Sequence, residues 1–290
     1  MFKNMKKLTV SAPAKVNLHL AVLDRRPDGF HNIESVFLAV DFADTLCFEL
    51  VERENAVEIV MEPGSVTIPP EKNIIFRALS LFRAKTGFSK GLKIKVQKRI
   101  PVGGGLGGGS SNAASTLLAL NKLAGNPLNH DLLLEMGASI GSDVPFFLQK
   151  AATALVTGRG EKIEALSAMP RLFFTLVNPG FSSDTAAAYR LLDKKREGKE
   201  IEQKPLDKKL AFGAFYNDFL PVFEEPENSV YNEIISHLKS SGAEYANLSG
   251  SGATCFGLFK DRAKAQKAAK TLKNKWNFVE FCCSCKKLSM

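Results

Sequence analysis

Six glycines stand within Gly103–Gly109, and this run constrains the chain more than any other feature. Glycine lacks a Cβ, so such a run lets the backbone adopt positive φ and approach a ligand closely. A helix predicted over about 112–123 follows directly, and a helix start offers unpaired N–H donors and a positive dipole end. A flexible linker is the alternative, but a linker would not run straight into an apolar helix. The run therefore predicts an anion site, extended by the polar side chains of Ser110, Ser111 and Asn112.

Two familiar phosphate loops do not match this segment. The Walker loop requires Gly-x4-Gly-Lys-Ser/Thr, and no lysine follows these glycines. The dinucleotide pattern G-x-G-x-x-G is present at Gly103, Gly105 and Gly108. However, that fingerprint belongs to a βαβ unit with an acidic residue about 20 positions later, whereas here a second predicted helix, about 130–140, follows the first. The segment therefore predicts a third kind of phosphate loop and argues against a dinucleotide oxidoreductase.

The 290 residues fit two domains that share a cleft. Strand-like stretches at 10–23, 33–40, 45–50 and 56–61 dominate the start, and helices and strands interleave later, so the predicted class is α+β. Stretch 10–23 alternates, with one predicted core face and with Lys15, Asn17 and His19 on the other. We predict one domain over 1–160, which contains the phosphate loop, and a second domain over 161–290.

The second half contains two further predictions. Residues 193–209 are mostly charged and are interpreted as a solvated loop. A helix is predicted over about 210–223. Three of the five cysteines, at 282, 283 and 285, favour a C-terminal strand over a zinc site, because structural zinc sites use pairs of spaced ligands. We predict no metal site built by the protein itself.

The net charge is +9, from 39 Lys and Arg against 30 Asp and Glu. This charge indicates an anionic partner, which could be a nucleotide, a phosphorylated metabolite or a nucleic acid, or it serves solubility alone. A nucleic-acid-binding protein is thus the alternative from a different class, although the basic residues are scattered. No apolar run approaches the roughly 18 residues that a membrane span needs. We expect a cytoplasmic protein that binds neither membranes nor nucleic acid.

Three separated segments occur in an order that resembles the GHMP kinase superfamily: 13–18 (PAKVNL), 101–112 (PVGGGLGGGSSN) and 248–253 (LSGSGA). The resemblance covers nearly the whole chain. Segments 28–31 (DGFH) and 141–145 (GSDVP) look like the members that phosphorylate the 2-hydroxyl of diphosphocytidyl-methylerythritol, in non-mevalonate isoprenoid synthesis. The resemblance implies an N-terminal domain like domain 2 of ribosomal protein S5, a C-terminal ferredoxin-like α/β sandwich, and an active site in the cleft between them.

The resemblance also implies residue roles. Asp143 would be the base for the substrate hydroxyl, and Lys15 would orient it and keep it ionised. Substrate contacts would come from Asn17, Phe30, His31, Thr185 and Tyr189, with Phe30 and Tyr189 stacking on the cytosine. The implied ATP-binding residues are Pro101, Val102, Gly103, Gly104, Gly105, Leu106, Gly107, Gly108, Gly109, Ser110, Ser111, Asn112, Ser249, Gly250, Ser251 and Gly252.

ATP is then the expected co-substrate, and Mg²⁺ is expected to arrive with it. The expected partner is a small diphosphocytidyl sugar alcohol, and the expected assembly is a monomer or a weak homodimer. A mevalonate or homoserine kinase remains the alternative within the superfamily.

Overall fold

The computed structural model describes residues 6–62, 73–167, 169–199, 206 and 212–288. The strands are β1 (Lys7–Arg25), β2 (His31–Val51), β3 (Val57–Glu62), β4 (Gly91–Gln97), β5 (Thr153–Thr157), β6 (Lys162–Ala165), β7 (Phe173–Asn178), β8 (Tyr245–Leu248), β9 (Cys255–Phe259) and β10 (Phe278–Cys283). The helices are α1 (Ile74–Thr86), α2 (Gly108–Leu123), α3 (His130–Ile140), α4 (Val144–Leu148), α5 (Thr185–Arg196), α6 (Glu227–Ser240) and α7 (Arg262–Leu272).

The first half forms a mixed sheet of order β3-β4-β2-β5-β6, with β1 paired to β2. Only β3 and β4 run parallel; the other pairs are antiparallel. Helix α2 packs on β1, and α1 and α3 pack against α2. Local signals place α1: the Asn73 side chain accepts a hydrogen bond from the Ile75 N–H, and Gly87 ends the helix in the left-handed conformation. Its apolar face is buried against the core.

The second half forms an antiparallel sheet of order β10-β7-β9-β8, against which α6 and α7 pack. An apolar cluster that combines residues of β1 and β2 with residues of β7, β9 and β10 fills the space between the two sheets. The boundary predicted between 160 and 161 falls in the turn before β6, which pairs with β5 of the first sheet. That boundary stays a prediction, and the pairing favours a position a few residues later.

Strand β1 differs from its predicted single core face. Its pairing with β2 shifts register between Pro13 and Ala14 and again between Asn17 and His19. Such bulges change which face a side chain occupies. As a result, Ala14, Val16 and Leu18, which lie between these shifts, face the second sheet. The apolar residues before and after the shifts join the core on the helix side of the first sheet; they are Val10, Ala12, Leu20 and Val22. Both faces are therefore buried, and Lys15, Asn17 and His19 are each at most 3% exposed.

Three other sequence predictions need correction. The stretches 33–40 and 45–50 are one strand, β2, because its pairing with β1 continues across the first register shift. The helix predicted over about 210–223 is wrong: residues 212–222 contain only short 3₁₀ turns at Phe212–Ala214 and Leu220–Val222. Residues 193–196 of the predicted solvated loop belong to α5, and 200–205 and 207–209 of that loop lie outside the described residues.

The C-terminal cysteines lie as predicted at the end of the chain's last strand, with Cys282 and Cys283 buried in β10. Burial raises the pKa of the Cys285 thiol to about 11. Across the described residues, no group of three or more His, Cys, Asp or Glu side chains could hold a metal ion. Within the same residues, every helix is too short or too polar to cross a bilayer.

Candidate active site

A cavity of about 750 Å³ opens between the two halves of the chain. This volume lies in the range typical of small-molecule sites, roughly 300–1,000 Å³. Its lining brings together distant parts of the sequence: β1, the glycine loop 101–109, the start of α2, the turn before α4, helix α5 and the tip of the loop between β8 and β9. The cavity thus contains most of the residues that the sequence predicted for the site.

The glycine loop is held by its carbonyl groups. Four consecutive carbonyl oxygens, those of residues 103–106, accept hydrogen bonds from other elements. The carbonyls of Gly103 and Gly104 accept from the N–H groups of Ser183 (3.0 Å) and Thr254 (3.2 Å), respectively. The carbonyl of Gly105 accepts from the Ser249 hydroxyl (3.0 Å), and that of Leu106 accepts from the Lys15 N–H (3.0 Å). No described residue accepts a hydrogen bond from the N–H groups of 103–107. The first-turn N–H groups of α2, which begins at Gly108, also lack intrahelical partners. The loop therefore leaves these backbone donors available for an anion.

Two glycines in this loop are required by their surroundings. Gly105 has φ +73°, and a Cβ there would lie 2.0 Å from the carbonyl oxygen of Ser249. Gly107 has φ +67°, and a Cβ there would lie 3.1 Å from Cγ of Lys15 and 3.0 Å from the ring of Phe147. Because glycine has no side chain, the loop can contact the second half of the chain at Gly105 and the aliphatic part of Lys15 at Gly107.

Lys15 and Asp143, which are 128 positions apart in sequence, meet beside this loop. The Lys15 Nζ lies 3.4 Å from the Asp143 Oδ2 and 2.6 Å from the Asn17 Oδ1, and 4.4 Å from the centroid of the Phe37 ring. The Lys15 side chain is only 4% exposed, and that of Asp143 is 29% exposed. A buried ammonium needs such partners, and the more open carboxylate can still reach a ligand in the cavity.

Local structure presents the Asp143 carboxylate. The residue occupies the N-cap position of α4, yet its side chain caps no backbone N–H. The Val144 N–H donates to the Gly141 carbonyl, and Pro145 stands in the first turn, so the backbone closes this turn itself. The carboxylate is consequently free to pair with Lys15.

Another part of the cavity wall is built from side chains. Phe30 is 50% exposed, and the Arg159 guanidinium lies 5.2 Å from its ring centroid. The rings of His31 and Tyr189 stack at 5.1 Å and 15°, and Phe219 meets Tyr189 at 88°. Burial, with the charges of Asp143 and Asp193 nearby, raises the pKa of Tyr189 to about 12, so its phenol stays neutral at physiological pH.

The third glycine segment, 249–252, has residues that line the cavity and residues that lie behind it. Gly250 and Ser251 line the cavity, and the Ser251 hydroxyl lies 2.9 Å from the Thr185 hydroxyl at the start of α5. Ser249 is fully buried and donates to the Gly105 carbonyl, and neither it nor Gly252 lines the cavity. Part of this segment thus supports the glycine loop from behind.

Asn17 lines the cavity, whereas Ser111 does not, and both side chains are buried. The Asn17 amide is engaged with the Lys15 ammonium and, through Nδ2 at 3.0 Å, with the Ser35 hydroxyl. Ser111 is fully buried beneath the start of α2, and its hydroxyl has no partner among the described residues. Ser110 and Asn112 do line the cavity.

Sequence analysis missed one cation beside the glycine loop, Lys98. Its Nζ lies 2.9 Å from the Asp44 Oδ2 and only 3.2 Å from where a Cβ of Gly108 would stand, and it lines the cavity. The fully buried Asp44 carboxylate also accepts from the N–H groups of Arg99 and Ile100 just before the glycine loop. The signal in the sequence was a lysine directly after a strand and close to the glycine loop. Strand periodicity alone does not distinguish such a lysine from a solvated surface charge.

Comparison with known proteins identifies the family. The GHMP kinases N terminal domain model matches residues 73–150, and the GHMP kinases C terminal model matches residues 209–277. A protein of Geobacter metallireducens named 4-diphosphocytidyl-2-C-methyl-D-erythritol kinase is 39% identical over 93% of this chain and 95% of its own length. The chain belongs to the GHMP kinase family.

Further GHMP kinases agree with this assignment. A kinase of the same name from Enterococcus faecalis is 37% identical over 90% of this chain and 93% of its own length. A crystal structure of 4-(cytidine 5'-diphospho)-2C-methyl-D-erythritol kinase superimposes with a TM-score of 0.77 at 31% identity, covering 96% of this chain and 99% of the other. Homoserine kinase from Cytophaga hutchinsonii (TM-score 0.70, 20% identity, covering 100% and 98%) shares the fold. The predicted two-domain α+β GHMP kinase fold is confirmed.

Proposed function

We propose that this chain transfers the γ-phosphoryl group of ATP to the 2-hydroxyl of 4-diphosphocytidyl-2-C-methyl-D-erythritol, giving the 2-phosphate and ADP in isoprenoid precursor biosynthesis. The observation that carries this proposal is one cavity with a phosphate loop at one end, the aromatic groups Phe30 and Tyr189 at the other, and the Lys15–Asp143 pair beside the loop. The names of the relatives that match over nearly the full chain support the same reaction.

The phosphate end holds the triphosphate through backbone groups. The unpartnered N–H groups of 103–107 and of the first turn of α2 would donate to phosphate oxygens. The Lys98 ammonium adds a positive charge next to Gly108. Phosphoryl transfer depends mainly on such positioning and charge stabilisation. The side chains of Pro101 and Val102, which also line the cavity, would border the nucleotide.

The chemical step centres on Asp143. Its carboxylate would accept the proton of the attacking hydroxyl as the bond to the γ-phosphorus forms and the bond to the ADP oxygen breaks. The Lys15 ammonium, held by Asn17 and Phe37, fixes the direction of that carboxylate. A general base must lie within hydrogen-bond reach of the hydroxyl, and the position of Asp143 in the cavity wall supports this role.

The cytidylyl group would occupy the opposite end. Phe30 and Tyr189 offer π-faces to the base, His31 offers backbone and ring atoms to its edge, and Thr185 lies beside Ser251 where α5 begins. Stacking of a base on an aromatic ring contributes about 1–3 kcal/mol. The diphosphate would then lie between the two ends.

We propose that Mg²⁺ enters with the nucleotide. Mg²⁺ at phosphate-transfer sites is held largely by phosphate oxygens and water, with few protein ligands. The Ser110 hydroxyl, which lines the cavity at the start of α2, is an oxygen donor of the type that Mg²⁺ accepts. The ion supplies charge neutralisation on the phosphates. A cytoplasmic location and a monomeric or weakly dimeric state stay predictions.

The decisive experiment offers ATP with the diphosphocytidyl alcohol, mevalonate and homoserine in parallel assays. We expect turnover with the diphosphocytidyl alcohol alone, and ³¹P NMR should show a new phosphomonoester on the 2-oxygen. Turnover with mevalonate or homoserine only would replace the proposed substrate within the family. Salt-dependent binding of random DNA without any kinase turnover would favour the nucleic-acid alternative.

A further inference from the structure

The imidazole of His31 is held by a carboxylate that the proposed reaction does not use. The His31 Nε2 lies 2.8 Å from the Asp193 Oδ1. The His31 side chain is 8% exposed and that of Asp193 is 40% exposed. Both residues line the main cavity, and both also line a second cavity of about 420 Å³. The pair therefore forms part of the wall between the two cavities, at the pyrimidine end of the proposed site.

Helix α5 fixes this imidazole from two directions. Tyr189 and Asp193 are four residues apart on α5 and so project from the same side of the helix. Tyr189 stacks on the face of the imidazole at 5.1 Å, and Asp193 binds its edge at 2.8 Å. Together these contacts set both the plane of the ring and its rotation within that plane.

The carboxylate also determines which nitrogen of the neutral ring carries the proton. An ionised carboxylate only accepts hydrogen bonds, so the Nε2 that faces Asp193 must be the N–H donor. The Nδ1 atom is then an acceptor with a free lone pair. Among the described residues, none bonds to Nδ1, and His31 lines the main cavity. We take this lone pair as the acceptor that meets a ligand there.

We propose that Asp193 is a positioning residue that makes His31 a hydrogen-bond acceptor for an exocyclic amino group, and so selects cytosine over uracil. This inference rests on the proposed function. Cytosine presents an N–H₂ donor at the position where uracil presents a carbonyl acceptor. The uracil carbonyl would face the Nδ1 lone pair, so two hydrogen-bond acceptors would meet without a proton between them. A single well-placed base contact discriminates by about 1–3 kcal/mol, which corresponds to roughly 5- to 150-fold.

The test compares Asp193→Asn with the parent enzyme on the cytidylyl substrate and on its uridylyl counterpart. An asparagine amide can either donate to Nε2 or accept from it, so it no longer imposes one tautomer. We expect KM for the cytidylyl substrate to rise about tenfold, most of the preference for cytidylyl to be lost, and kcat and the KM for ATP to stay within about twofold. Glu197→Gln, which removes an exposed carboxylate near the end of the same helix, is the matched control and should behave as the parent.

A second measurement reads the tautomer without turnover. In the ¹⁵N-histidine NMR spectrum of the unliganded parent, the His31 signal, assigned by its loss in His31→Gln, should show protonated Nε2 and bare Nδ1. In Asp193→Asn, the His31 signal should shift toward that of a mixture of the two neutral tautomers. If Asp193→Asn folds poorly, Asp193→Glu keeps an accepting carboxylate and should retain the base preference.

The outcomes separate this inference from the function on which it rests. A parent enzyme without turnover on the cytidylyl substrate overturns both. A parent that turns over, with an unchanged base preference in Asp193→Asn or with its proton on Nδ1, overturns the role of Asp193 alone.

Discussion

The phosphate end and the pyrimidine end of the cavity are built from different materials. At the phosphate end, residues 103–106 present backbone N–H groups while their four carbonyls are bound by other elements. At the proposed pyrimidine end, the cavity is lined by the side chains of Phe30, His31 and Tyr189. Phosphates are common to all ATP-dependent kinases, so the backbone-built end suits the shared co-substrate. Single substitutions can change a surface made of side chains, so the pyrimidine end suits recognition of one particular acceptor substrate.

The two ends also differ in how firmly they are held. The glycine loop is fixed at four consecutive positions, and Gly105 leaves no room for a side chain. The pyrimidine end depends on one stacking contact and on Asp193, which is 40% exposed. We therefore expect substitutions at the phosphate end to disturb both fold and function, and substitutions at the pyrimidine end to alter specificity with the fold intact. The following tests are ordered from the largest expected effect on catalysis to the smallest.

Asp143→Asn removes the proposed base between the two ends. Loss of a general base lowers kcat by about 10²- to 10⁴-fold. Because neither end is changed, KM for ATP and for the acceptor should stay near the parent values, which steady-state kinetics would show. Asp131→Asn, at an exposed position in the first turn of α3, is the control. Parental turnover in Asp143→Asn would remove this residue from the chemical step.

Gly105→Ala tests whether the phosphate end is held as rigidly as its geometry indicates. The new Cβ would stand 2.0 Å from the Ser249 carbonyl oxygen, at φ +73°. Overpacking and positive φ together cost about 2–4 kcal/mol, and KM for ATP should rise at least tenfold.

Gly109→Ala is the matched comparison for stability. Its Cβ would meet nothing closer than the Ile74 Cγ2 at 3.9 Å, and alanine is favoured in a helix by about 1 kcal/mol. Urea unfolding should show Gly105→Ala weakened and Gly109→Ala no less stable than the parent. Equal stability of the two variants would contradict the close packing of Gly105 on the third glycine segment.

Phe30→Ala tests the pyrimidine end. Loss of one stacking ring should raise KM for the cytidylyl substrate about tenfold, with KM for ATP and the midpoint of urea unfolding almost unchanged. Phe181→Ala removes another partly exposed phenylalanine, 37% against 50%, and should leave both KM values unaltered. A similar rise in both KM values for Phe30→Ala would place the base elsewhere.

His19 tests a part of the fold that belongs to neither end. Burial lowers the pKa of His19 from 6.5 to about 4, against a smaller opposing effect of Asp218. Its neutral form is therefore favoured in the folded state, so its contribution to stability is complete above pH 6.5 and is lost as the pH falls toward 4. Linkage gives about 2 kcal/mol of lost stability between pH 7.5 and pH 5.

His19→Asn should flatten this dependence without changing either KM. Urea unfolding at several pH values measures it, and His130→Asn, at an exposed position, is the control. A pH dependence identical to that of the parent would show that another group titrates.

Local sequence was sufficient for several elements and for the position of the glycine loop before a helix. The Asn73 cap and the apolar face of α1 are local features that account for that helix, which begins at Ile74. The glycine run predicted an anion loop before a helix, although α2 begins at Gly108, four residues earlier than predicted. Periodicity could not show the three register shifts in β1, because a bulge leaves the local pattern of residue types unchanged.

By itself, the sequence determined the loop of backbone donors, the α+β class and, through the resemblance of its motifs, the family. Only the tertiary structure decided that the Lys15 Nζ lies 3.4 Å from Asp143, that Lys98 reaches the phosphate end and that Asp193 holds His31. The physical reason is that caps, turns and glycine conformations depend on neighbouring residues. Contacts between residues more than 50 positions apart depend instead on strand register and packing across the two sheets.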